Sequence, residues 1–186
     1  MAKRKWILKT EAKRLAFEDR YIPNGLNLRE SNFNEDPFMG NYIDYFPEGE
    51  YPIYTSFFFR AGLTLPLDPL LVEFLRETRL HICQLTPNTI RIVLGTAELN
   101  KRFHLNLGLR ELKYCYYLAI HEDGKWNLRA RPRSPSLIEG LSTSHKGYYK
   151  DVITITDVVE PDPVNNPVPK QFGTPGVLSN PFFLLV

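Results

Sequence analysis

Between Tyr51 and Ile120 the chain concentrates its aromatic and branched apolar residues, and most of them recur at helical spacing. Tyr51 to Tyr54 reads as a short β-like entry. Thr55 or Ser56 can then cap a turn through Phe57, Phe58 and Phe59, since a hydroxyl satisfies a free backbone N–H. Gly62 supplies the exit, and Leu63, Leu65 and Leu67 alternate around Pro66 as an extended connector. Asp68 followed by Pro69 marks a helix start, because the missing proline N–H costs nothing at the first helical position. Leu70, Leu71, Phe74 and Leu75 form its apolar face, with Glu73, Arg76, Glu77 and Arg79 on the wet side. Thr86 and Pro87 repeat the device for a helix whose stripe is Ile90, Val93, Leu94 and Ala97. Gly95 lies inside it at a cost of about 1 kcal/mol relative to alanine, which predicts close helix packing at that point. Lys101, Arg102 and His104 sit where the helix dipole favours cations. Leu109, Leu112, Tyr116 and Ile120 share a face, which predicts a further helix from about Gly108 to Ile120, with Tyr114 and Tyr117 on its other side.

The pattern changes after Ile120. Asp123-Gly124 is a turn signal, and Lys125 to Arg131 alternates, with Trp126, Leu128 and Ala130 opposite Asn127, Arg129 and Arg131. Pro132 ends that strand, and a serine-rich loop follows. Tyr149 to Val159 is dense in β-branched residues and predicts a second strand. The predicted fold is α+β: three to four short helices forming a compact core, with a small antiparallel β pair at one end and disordered termini. Residues 1–50 are expected to be an irregular charged region. Residues 51–160 would be the core and β pair, and 161–186 a proline-rich tail. The first twenty residues could form a short basic helix through Trp6, Leu8, Ala12, Leu15 and Ala16, or a solvated terminus. Pro23, Gly25, Pro37, Gly40, Pro47 and Gly49 make residues 21–50 loop-like.

Composition narrows the class without naming a partner. At 43% hydrophobic and 24% charged, the 186 residues suit one globular core. A net charge of +2 is too small to argue for nucleic acid by itself. The charge is arranged in blocks, however. Residues 1–20 carry seven bases against three acids, residues 30–50 six acids and no base, and residues 125–150 six bases and one acid. Blocks of this kind are commonly solvated faces. Cys83 and Cys115 are too few for a disulfide framework or a zinc pattern, and both fall on apolar ground where a buried free thiol is expected. No run approaches the roughly 18 apolar residues of a membrane span, and Met1 to Arg20 lacks a signal-peptide core. An intracellular chain, in nucleus or cytoplasm and away from membranes, is the expectation.

Ser56 to Ile92 resembles the plant gypsy-type transposase domain found in many retrotransposon-derived proteins. The resemblance is carried by the aromatic run Phe57 to Phe59, the turn Arg60 to Gly62, the helix start Leu65 to Pro69, and Leu85, Pro87 and Asn88. Further on, Ser142, Ser144, Lys146, Gly147 and Tyr148 are similar to the family's serine, Lys-Gly and aromatic stretch leading into a strand. Tyr148 stands there in place of the usual tryptophan. The likeness spans about residues 50–156 and implies a fragment or degenerate copy of a mobile-element protein.

The residues offer little catalytic chemistry. A nuclease-type transposase needs carboxylates converging on metal ions. Of the candidates Asp36, Asp44, Asp68, Glu98, Glu111 and Asp123, Asp68 is better read as a cap and Glu98 and Glu111 as wet-face charges, and no Asp sits inside a strand run beside another metal-ligand candidate. Ser142, Ser144 and His145 are loop neighbours without a positioned base or oxyanion donors. No phosphate-binding glycine loop and no cofactor motif is present. The stronger candidate is a basic-aromatic strip: Lys125, Trp126, Arg129, Arg131, Arg133, Lys146, Tyr148 and Lys150 could pair phosphates and stack bases. Two strands with a solvated face would look the same. The expected function is therefore a non-catalytic, transposon-derived structural or interaction module, with self-association as one partner choice. The alternatives are a DNA- or RNA-binding module using residues 125–150 and a non-catalytic part of a larger transposase.

Overall fold

A computed structural model describes residues 11–22, 27–30, 50–120, 125–143, 147–149 and 152–156. Along the chain its elements are α1 (Glu11–Tyr21), β1 (Asn27–Glu30), β2 (Glu50–Tyr54), α2 (Thr55–Ala61) and α3 (Pro69–Thr78). A 3-10 turn (Ile82–Gln84), α4 (Pro87–Phe103), α5 (Leu109–Cys115), β3 (Tyr116–Ile120), β4 (Trp126–Ala130) and β5 (Val152–Thr156) follow. The protein is α+β, as the alternation of periods predicts.

The starts of α3 and α4 are where the sequence puts them, but α2 begins at Thr55 after Tyr54 with no side-chain cap, because the Ser56 hydroxyl donates to the Tyr148 carbonyl at 2.6 Å instead. Asp68 accepts the Leu70 N–H at 3.0 Å, and Pro69 opens α3. Thr86 accepts the Thr89 N–H, and Pro87 opens α4. Gly62 closes α2 in the left-handed region at φ 73°, which a residue without Cβ adopts freely. Leu63, Leu65 and Leu67 are buried while Thr64 and Pro66 face solvent, the alternation of an extended connector. Leu71, Phe74, Leu75, Ile90 and Val93 are fully buried in one core, each contributing about 1.5–3 kcal/mol by leaving water.

Two predictions about strands need correction. The helix expected to run to Ile120 stops at Cys115, and Tyr116–Ile120 is a strand. Tyr116 and Leu118 are buried, whereas Tyr117 and Ala119 are half-buried and Ile120 exposed. Aromatic and β-branched side chains suit this pleated surface, and a ladder with β4 supplies backbone partners that a lone last helical turn would lack. The expected β pair between Lys125–Arg131 and Tyr149–Val159 does not form. Instead β4 pairs with β3, with Leu118 opposite Leu128. Strand β5 is the centre of a separate three-stranded antiparallel sheet in the order β1-β5-β2, with Ile153 opposite Ile53 and Ile155 opposite Tyr51. Val152 to Ile155 are all buried, so this strand is covered on both faces and its continuous β-branched run has a physical reason.

The N-terminal region is less irregular than its composition suggests. Phe17 of α1 is buried edge-on against Phe58, with ring centroids 5.2 Å apart. Residues 27–30 pair with β5. The cluster Lys3, Arg4 and Lys5, the acidic-aromatic residues of 31–49, Asp123-Gly124 and the 161–186 tail lie outside the described residues. Both cysteines are free and buried, as expected.

Candidate interaction surface

The structure takes the basic-aromatic strip apart. Lys125 is buried; its Nζ donates to the Tyr54 hydroxyl at 3.2 Å and lies 5.5 Å over that ring. Tyr148 is buried between Tyr54 and Phe57. Arg131 is half-buried, and its Nε donates to the carbonyls of Lys113 and Tyr116 at 2.9 and 3.1 Å, closing the α5–β3 junction. Trp126 is half-buried on β4. Of the described residues in the strip, Arg129 and Arg133 are the exposed ones. Lys146 and Lys150 lie outside the described residues. The side chains that turn inward lie just outside the strands, Lys125 before β4, Arg131 after it and Tyr148 in a turn, where loop packing and not the strand period sets direction.

The carboxylates disperse as well. Asp68 caps α3 and pairs with Lys101 at 3.2 Å. Glu98 is held below the usual carboxylate range by the hydrogen bond from Arg102, and Glu111 by the Gly108 backbone N–H. Asp36, Asp44 and Asp123 lie outside the described residues, as do Ser144 and His145. Ser142 offers its carbonyl to the Asn88 side chain at 2.8 Å. Among the described residues no group of three His, Cys, Asp or Glu is placed to hold a metal ion, and no helix is long and apolar enough to cross a membrane.

A different surface is built with care. The chain leaves α4 through His104, whose left-handed backbone (φ 52°) turns its N–H onto the Asn100 carbonyl. The Leu105 N–H bonds the same carbonyl at 3.2 Å. The Asn100 side chain then grips Leu107 twice: its Oδ1 accepts the Leu107 N–H at 2.8 Å, and its Nδ2 donates to the Leu107 carbonyl at 2.7 Å. One turn later Glu111 accepts the Gly108 N–H at 2.8 Å. The knuckle is thus fixed at both ends, yet it holds Phe103 at 63% and Leu105 at 47% exposure. Tyr114 of α5, 70% exposed, follows it in the chain. The helix dipole accounts for Lys101, Arg102 and His104 and says nothing of Phe103 and Leu105 beside them. The available signal was two large apolar side chains alternating with cations beyond the last core position of α4.

Earlier on α4 lies an open groove of about 430 Å³, lined by Ala61, Gly62, Leu94, Gly95 and Ile138, with Asp68 and Glu98 among its polar members. At Gly95 the backbone lets Ile138 pack close against α4. A Cβ there would stand 2.6 Å from Ile138 Cδ1, so the predicted close approach is real, although the neighbour is a loop side chain and not a helix. The Tyr116 hydroxyl fixes that loop by accepting the N–H groups of Leu137 and Ile138 at 2.8 and 3.1 Å. No family model, no curated protein and no solved structure matches the chain.

Proposed function

We propose that this chain is a non-catalytic interaction module that assembles with further copies of itself, the α4–α5 knuckle of one copy seating in the α4 groove of the next. The observation that carries this reading is the knuckle: Asn100 accepts three hydrogen bonds and donates a fourth, and these hold two large apolar residues in water. Such pre-organisation lowers the ordering cost of docking. Phe103 stands about 12 Å beyond Gly95 along the same rigid helix, so a chain cannot place its own knuckle in its own groove. A second copy can. The motifs of Ser56–Ile92 are the support for a retrotransposon-derived origin. The buried thiols suit a reducing compartment, nucleus or cytoplasm.

Sedimentation of the full chain over a concentration series tests this. The wild type should associate with rising concentration, and the doubly substituted Phe103→Ser/Leu105→Ser chain should stay monomeric with an unchanged melting curve. Leu94→Asp in the groove should do the same, and mixing the two variants should restore a dimer, since each retains the half that the other lacks. A strictly monomeric wild type sinks the reading. Salt-sensitive retention of DNA or RNA that Arg129→Ala and Arg133→Ala abolish would move the function to nucleic-acid binding.

A further inference from the structure

We propose that His81 is an acid-released latch that fastens the two sheets together, independent of the surface used for assembly. The segment from His81 to Thr86 is the joint between the sheets. On one side the Cys83 thiol donates to the Pro52 carbonyl of β2 at 3.4 Å. On the other, Leu85 bridges Trp126 and the Thr86 N–H donates to the Trp126 carbonyl of β4 at 3.0 Å. His81 begins the 3-10 turn inside this joint. Its Nδ1 accepts the Cys83 N–H at 3.1 Å, while its own N–H donates to Gln84 Oε1 at 2.9 Å.

The first of these bonds fixes the ring chemistry. An Nδ1 that accepts is unprotonated, so the neutral ring carries its proton on Nε2. A second proton could enter only at Nδ1, where it would meet the Cys83 N–H donor to donor and abolish the cap. The ring is 0% exposed and lies against Tyr51, with centroids 4.7 Å apart. The titratable groups around it are Tyr51 of β2, Cys83 of the turn, and Lys125 immediately before β4. Burial, and secondarily the positive charge of Lys125, push the imidazole down to about 3. The unfolded or released segment has the ordinary value of about 6.5. The released state therefore binds the extra proton between these values. The latch is fully closed above about pH 6.5 and weakens as pH falls toward 3, by about tenfold in the opening constant per pH unit.

The test uses the full chain. In wild-type protein the His81 ring resonances should not titrate between about pH 7.5 and 5. Amide exchange supplies the second readout. The protection factor of the Thr86 N–H should fall by about tenfold per pH unit below 6, while that of Phe74 in α3 falls less. His81→Asn keeps an oxygen acceptor for the cap and cannot titrate, so its Thr86 protection should be flat over the same window. A folded-state His81 that titrates near 6.5 overturns the latch even if the variant does not fold. Equal loss of protection at Thr86 and Phe74 would make His81 a general stability group and overturn it too.

Discussion

α3 and α4 begin with the same local device set in different surroundings. Each has a polar cap followed by proline. Asp68 stands at the rim of the groove, bonded to the Leu70 N–H and paired with exposed Lys101. Thr86 is 0% exposed. Its hydroxyl accepts the Thr89 N–H at 3.4 Å and donates to Asn127 Oδ1 at 3.0 Å. The Thr89 hydroxyl in turn accepts the Leu128 N–H at 3.0 Å and donates to the Trp126 carbonyl at 3.2 Å. One cap sits part-buried at the groove rim, its side chain 13% exposed. The other welds a helix to β4. The lesson is that a capping pattern fixes where a helix starts, while the packing around it decides what the cap is worth.

Exchanging the two caps is the sharpest way to break this comparison. Thr86→Asp should be the most damaging, at about 3–5 kcal/mol, because it buries a carboxylate that faces the Asn127 oxygen instead of donating to it. Denaturant unfolding with an unchanged slope would measure that loss, and a cost below that of removing the cap at Asp68 would refute the contrast. Thr86→Val keeps the volume but strips the hydroxyl, leaving the Thr89 N–H and Asn127 oxygen unmet. About 2–3 kcal/mol is expected from a lost cap and buried unpaired groups. Asp68→Ala removes an ordinary cap and should cost about 1 kcal/mol, read as a lower unfolding midpoint. Asp68→Thr restores an acceptor and should cost only a few tenths of a kcal/mol, since the exposed pair with Lys101 is worth little. Unfolding in high salt should leave the Asp68→Thr chain and the wild type nearly equal.

Much of the fold is readable from residue spacing. Asp68-Pro69, Thr86-Pro87, Gly62, and the alternation of Leu63, Leu65 and Leu67 all act within a few residues, and all appear in the structure. The α5–β3 switch was not readable, because Leu109, Leu112, Tyr116 and Ile120 satisfy a helical period until a partner strand claims the last two. The pairing of β5 with β2 and β1 was likewise hidden. A β-branched run announces a strand but carries no address. Lys125 and Tyr148 looked like ligands for nucleic acid, since sequence shows charge and aromaticity but not which way a side chain turns.

The order of residues by itself determined the starts of α3 and α4, the buried apolar stripes and the α+β class, since hydrogen-bond capping and hydrophobic periodicity are local effects. Tertiary structure alone decided which strands meet, that Lys125 and His81 go inside, and that Phe103 and Leu105 stay out on a pinned turn. Those outcomes depend on surfaces brought together from distant parts of the chain. There the desolvation of one group is set by neighbours it does not have in sequence.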